Sequence, residues 1–227
     1  LPGRNTLWHT SNPELSPGNP VTLRWDNGAG LLFERTYSLD ENFMIAVRQQ
    51  VTNQTGPAIT LYPYGLISRT GTPEVSGFVI LHEGALGVFN GELVEEDYED
   101  IQEAHSQKYE STGGWLGITD KYWLTALIPD QERPFKGSIN HTLTGQSDRY
   151  QVDYLMDGQQ IMAGGSASAL NHLFVGAKEV SLLESYSESL KITSFNLAID
   201  WGYLRFLTQP LFHVLTWLNA LVGNFGV

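Results

Sequence analysis

Phe43 to Val51, FMIAVRQQV, is written in period two. Phe43, Ile45, Val47 and Val51 alternate with Met44, Ala46, Arg48 and Gln50. Such alternation puts the two sets on opposite faces of a β-strand, and Asn53 and Gly56 supply the chemistry to end it. Further apolar runs follow at similar spacing: 58–68, 78–81, 115–118, 122–128, 135–143 and 150–156. Asp26-Asn27-Gly28, Thr55-Gly56-Pro57, Gly71-Thr72-Pro73, Gly113-Gly114 and Asp157-Gly158 are turn signals between them. Many short strands without alternating helices predict an antiparallel sandwich or barrel. The stretch 115–129 reads as a hairpin with Thr119-Asp120-Lys121 near its tip. Its aromatics Trp115, Tyr122 and Trp123 are expected to fill the core.

Residues 1–20 carry Pro2, Pro13, Pro17 and Pro20 and read as an extended leader. The β region then spans 21–175. Near Gly176 the period changes: Val180, Leu183, Tyr186 and Leu190 share one helical face, which predicts a helix over 177–191 and a helical tail over 176–227.

The tail ends in FLTQPLFHVLTWLNALVGNFGV (206–227), which holds no Asp, Glu, Lys or Arg. As a helix over about 206–222 it has two faces. Leu207, Pro210, Leu211, Val214, Leu215, Trp217, Leu218, Leu221 and Val222 lie on one; Gln209, His213, Thr216 and Asn219 lie on the other, with Phe212 and Ala220 as exceptions towards the polar side. Three readings fit: docking on the domain's own core, a transmembrane span, or a helix lying in a membrane interface with Trp217 at headgroup depth. Pro210, His213 and Asn219 count against the span. The scarcity of cations, with Arg205 alone nearby, departs from the usual interfacial helix.

A net charge of −12 with 13 Lys plus Arg excludes a basic nucleic-acid surface and disfavours adhesion to anionic headgroups. No cysteine is present, which removes disulfides, thiolate metal sites and Cys nucleophiles and fits either a reducing cytosol or a bacterial periplasm. No signal peptide is visible, and the start at Leu1 is that expected of a processed or excised piece.

Catalytic and metal motifs are not predicted. The acidic run Glu92, Glu95, Glu96, Asp97, Glu99, Asp100, Glu103 lacks the central Gly and fixed offsets of a calcium loop and reads as a solvated loop or strand edge. Glu95, Glu96, Asp97 and Glu99 are its candidate docking residues. The six His residues, among them His82 beside Glu83 and His105 near Glu103, form no metal-ligand spacing. There is no Gly-x-Ser-x-Gly and no phosphate loop, and no cofactor is expected.

GGWLGITDKYWLTALIP (113–129), LFVGAKEVSLLESY (173–186), LAIDWGYLRFLTQPLF (197–212) and GNFG (223–226), together with YPYGLISRTGTPE (62–74) and DENFMIAVRQQVTN (40–53), resemble the YidC-type membrane protein insertases of Gram-negative bacteria. The resemblance implies a large periplasmic domain of an inner-membrane protein. Its fold would be a mainly β, antiparallel β-supersandwich, similar to galactose mutarotases, followed by a short C-terminal helical tail. The terminal helix would be interfacial and lead towards a transmembrane helix. Implied partners are nascent inner-membrane proteins and Sec translocon components, and membrane or partner contact is expected at Trp201, Phe206, Leu207, Pro210, Leu211, Leu215, Trp217, Leu218 and Leu221. At Gln209 the family commonly carries Lys, and no mutarotase catalytic residue carries over. A carbohydrate-binding or mutarotase-like domain is the alternative.

Overall fold

The computed structural model describes residues 1–3, 5–74, 81–202 and 205–223. Among these, β1 (Val21–Asp26), β2 (Leu31–Leu39), β3 (Met44–Asn53), β4 (Ile59–Leu61), β5 (Tyr64–Thr70), β6 (Gly84–Phe89) and β7 (Glu92–Asp97) precede a short helix, α1 (Tyr98–Ala104). Then come β8 (Ser106–Thr112), β9 (Gly114–Thr119), β10 (Trp123–Ile128), β11 (Pro134–Thr144), β12 (Ser147–Met156), β13 (Gln159–Ile161) and β14 (Ser166–Ala177). Helix α2 (Val180–Ser189), a 3₁₀ turn (Phe195–Ala198) and helix α3 (Arg205–Val222) follow.

Every strand pair is antiparallel. A large sheet has the order β1-β2-β3-β14-β10-β9-β6-β7, a small one β5-β12-β11-β8, and β4 pairs with β13 in a ribbon. The chain is a mainly β supersandwich with a C-terminal helix, as the resemblance implied.

The large sheet is the middle layer, because both of its faces are apolar at the β6–β9–β10–β14 end. Leu86, Val88, Trp115, Leu124, Ala126 and Phe174 point to one face and pack on Leu183 and Tyr186 of α2 and Phe195 of the 3₁₀ turn. Ala85, Leu116, Ile118 and Leu127 point the other way, onto Ile139, Tyr150, Val152, Tyr154 and Met156 of the small sheet and Tyr98 and Ile101 of α1. At the β1–β3 end the alternation is one-sided. The face continuous with α2 carries the Thr22–Thr36 and Thr52–Ser166 hydroxyl pairs (both 2.9 Å) and the Arg24–Glu34 ion pair. The opposite face carries Phe33, Arg35, Gln49 and Val51.

Several expectations need correction. Trp115 is fully buried, but Tyr122 and Trp123 are 64% and 61% exposed. The hairpin turn ends the sheet there, and Asp120 N–H donates to the Trp123 carbonyl (2.9 Å) to close it. The run 58–68 is two strands, broken at Tyr62-Pro63, where proline has no N–H for a ladder. The helix predicted over 177–191 spans 180–189, because Ala177 still pairs with Trp123 in the sheet. Helix α1 was not foreseen; Asp97 Oδ1 caps it by accepting from Glu99 and Asp100 N–H (2.9 Å each). The leader is tied down by the His9↔Arg24 bridge and by Trp8, whose ring lies 6.3 Å from Trp25. Of the strand expected at 78–81, residues 78–80 lie outside the described residues, as do 224–226 of the terminal motif.

Candidate interaction surfaces

Helix α3 is reached through Asp200-Trp201. Thr208 Oγ1 donates to the Trp201 carbonyl (2.9 Å), Phe212 meets the Trp201 ring edge-on (5.4 Å between centroids), and His213 lies 6.4 Å from it. His213 Nε2 is 3.6 Å from Glu184 of α2. The side of the helix turned to the domain is therefore the more polar one, with Phe212 as its apolar contact. The apolar side, Phe206, Leu207, Pro210, Leu211, Leu215, Trp217, Leu218 and Leu221, is exposed throughout. Docking of that face on the domain's own core is overturned. Trp201, counted with these residues from sequence, instead anchors the opposite side. Pro210 lies inside the helix, where it lacks the N–H that would reach the Phe206 carbonyl. The exposed His213–Glu184 pair contributes roughly 0–1 kcal/mol at most and adds little to the contacts at Trp201. Among the described residues no helix is long and apolar enough to cross a membrane.

The acidic residues sit on β7, an edge of the large sheet, and on α1. Glu95, Asp97 and Glu99 are exposed. Asp97 is committed to the α1 cap, and Glu96 accepts from Tyr109 Oη (3.3 Å). Crowding is visible in Asp100, whose carboxyl is raised above its ordinary value chiefly by Asp97. Tyr109 is pushed up to about 12 by burial first and by Glu96 second. Among the described residues no group of three or more His, Asp or Glu is arranged to hold a metal.

His82 and Glu83, neighbours in sequence, take different partners. His82 binds the Ala85 carbonyl through its ring and Asp200 through its N–H, while Glu83 accepts from Lys121 N–H. Besides His213–Glu184, the fold creates the His–carboxylate pair His141–Asp148 (2.8 Å), at the far end of the β11–β12 hairpin, with the His105 ring stacked 6.2 Å away. Asp148 is held below the usual carboxylate range by that hydrogen bond.

Sequence reasoning missed a cleft of about 630 Å³ beneath the β1–β3 end of the large sheet. Phe33, Arg35, Gln49 and Val51 form its floor, and Trp8, Tyr62 and Tyr64 its walls. Gln49 Nε2 donates to the Tyr64 carbonyl (3.1 Å), and its Oε1 is buried without a partner. Among the described residues no His lines the cleft, and so none there forms the His–carboxylate pair that sugar chemistry of the mutarotase kind calls for. Period-two alternation marks Phe33 and Val51 as inward, but only the overhang of the large sheet beyond the small one opens the space.

A family model for the YidC periplasmic domain matches residues 1–214. The chain belongs to that family. It is 43% identical over 237 residues to the membrane protein insertase YidC of Methylobacterium radiotolerans and 45% identical over 231 residues to that of Beijerinckia indica. All of the chain is covered in both alignments, against 38% of each relative, so it spans well under half of their length. Among solved structures, a galactose mutarotase related enzyme from Lactobacillus acidophilus superposes with a TM-score of 0.54 at 12% identity, over 76% of this chain and 72% of that one. At that identity the likeness shows the fold alone.

Proposed function

We propose that this chain is a non-catalytic periplasmic part of an inner-membrane protein insertase, which assists insertion and folding of membrane proteins alone or with the Sec translocon. The naming of the relatives as membrane protein insertases supports the parent activity. The observation that carries the domain's own role is α3. Its polar side and Phe212 rest on Trp201 and α2, while its apolar side, uncharged from 206 to 222, faces outward without a covering element among the described residues. A helix buries its apolar face wherever one is available, and a bilayer interface offers one. Helix α3 thus orients the β domain on the periplasmic surface of the inner membrane and presents it to Sec components and emerging substrate helices. No cofactor takes part.

Liposome flotation of the chain against Leu211→Glu/Leu218→Glu tests this. The parent floats and the double variant stays in the load fraction. Equal partitioning of the two refutes the role given to α3. The acidic patch Glu95, Glu96, Asp97 and Glu99 is a second docking surface by this reading, and its charge reversal abolishes capture of a Sec component that α3 variants still bind. The carbohydrate alternative draws on the cleft and the unpartnered Gln49 Oε1. A sugar-array signal lost in Gln49→Leu establishes it, and a blank array removes it.

A further inference from the structure

Away from α3, large exposed apolar side chains gather where β10 begins and β14 ends. Tyr122 and Trp123 are 64% and 61% exposed, and Val175 is half exposed. Trp123 pairs in register with Ala177 and Thr125 with Val175, so Trp123 and Val175 share the sheet face turned away from α2. The backbone that carries them is tied down. The Asp120 N–H to Trp123 carbonyl bond closes the turn, Thr119 Oγ1 donates to the Asp120 and Trp123 carbonyls (3.0 and 3.1 Å), and Lys178 N–H donates to the Tyr122 carbonyl (2.8 Å). The backbone beneath the rings is thus set before binding, so it loses little conformational freedom on contact.

The turn is also next to the root of α3. Lys178 follows β14 and lies in the field of Asp200, Glu83, Glu95 and Asp120. Asp200 accepts from His82 N–H (3.1 Å), and Glu83 accepts from Lys121 N–H (3.0 Å) in the turn itself. One polar cluster therefore joins the β9–β10 turn, the end of β14, residues 82–83 and the Asp200-Trp201 lead into α3. Its charge is nearly balanced in a chain of net charge −12: Asp120 is paired with Arg69 (2.6 Å), and Lys178 stands among the other carboxylates. Lys121 Nζ lies 5.2 Å from the Tyr122 ring centroid, so this cation rests over an aromatic face.

We propose that the β9–β10 turn, through Tyr122, Trp123 and Val175 with Lys121, is a second membrane-contact point that inserts at the headgroup level of a zwitterionic bilayer. The inference rests on the reading of α3 as interfacial. Four observations select lipid as the occupant. Trp and Tyr at the tip of a turn suit the interface, where the ring is apolar and its edge is wetted. Neither ring lines the cleft beneath β1–β3, and both are more than half exposed. Local charge balance limits the desolvation penalty, and net charge −12 disfavours anionic headgroups. The turn is also continuous, through the Lys178–Asp200 cluster, with the helix whose apolar side faces out. Two contacts on one rigid body would fix the orientation of the β domain, which a single helix leaves free to rotate.

The absence of cysteine allows single labels. Tyr122→Cys and Leu218→Cys are each labelled with an environment-sensitive nitrobenzoxadiazole dye and mixed with phosphatidylcholine vesicles. Blue-shifted, brightened emission from both positions is the expected result. A shift at 218 without one at 122 overturns the second contact and leaves α3 as the sole anchor. A shift at 122 without one at 218 keeps the turn and refutes the interfacial reading of α3, and silence at both positions removes both. As an independent measure, Tyr122→Ser/Trp123→Ser, at exposed positions that leave the thermal midpoint unchanged, lowers vesicle partitioning about tenfold, equivalent to about 1.4 kcal/mol. Unchanged partitioning of this folded variant also refutes the proposal.

Discussion

Phe195→Ala tests whether the segment after β14 is part of the sandwich or an appendage. Phe195 has no exposed surface and sits in the 3₁₀ turn behind the large sheet. Its ring meets Trp115 edge-on at 5.4 Å and Phe174 at 5.7 Å, and both partners are fully buried. Truncating a buried Phe costs about 3–5 kcal/mol in transfer and cavity terms. Edge-to-face pairs are worth about 0.5–1.5 kcal/mol each beyond area, and two are lost here, so the upper part of that range, about 4–5 kcal/mol, is expected. In a domain of this size each kcal/mol lowers the melting midpoint by roughly 2–4 °C, which gives a fall of roughly 8–20 °C. Urea unfolding followed by tryptophan fluorescence reads the same quantity, with Trp115 as a reporter in contact with the site. A loss below about 1 kcal/mol, or a separate early transition with the main midpoint unmoved, refutes the placement of this segment in the core.

Tyr186→Phe removes the hydroxyl that lies 2.5 Å from Asp40 Oδ2 and 2.9 Å from the Asn42 carbonyl, and a stability loss of about 1–3 kcal/mol in chemical denaturation is expected, because a part-buried hydrogen bond to a carboxylate is lost. Burial holds His172 below its ordinary value, so the unfolded chain takes up its proton first as pH falls through about 6.5. That contribution is therefore full above this pH and declines below it; His172→Gln flattens the decline in urea midpoints between pH 7 and 5. Gly114 has φ +102° and a Cβ there would strike the Val88 carbonyl, so Gly114→Ala is expected to cost about 2–4 kcal/mol, checked by thermal unfolding.

Local pattern was informative where burial follows strand alternation. MIAVRQQV (44–51) became part of β3, though Phe43 lies outside it at φ +73° and is exposed, and Ile139, Val152 and Tyr154 became the inner face of the small sheet. The pattern was weak where local chemistry competes with it. Tyr98 to Ala104 is acidic, and its helix depends on an Asp97 cap that looks like one more charge in the run. Tyr122 and Trp123 are hydrophobic by type yet exposed, because a strand's first residue lies at the rim, beyond the opposing sheet. His141 and Asp148 meet through the β11–β12 register, and the cleft arises from the unequal widths of two sheets. Neither is encoded in any short window.

Taken by itself, the sequence determined that this chain is a mainly β protein of the YidC periplasmic type, and that its end is an uncharged helix with two unlike faces. Period and composition are local, so they are legible without partners. Only the tertiary structure decided which face of α3 is used at home. The wheel distinguishes the two faces but does not say which neighbour meets them. That was decided by Trp201 and Glu184, which come to Phe212 and His213 through the fold. The polar side is held and the apolar side stays exposed, because hydrophobic burial is non-directional and depends on where an uncovered surface lies in three dimensions.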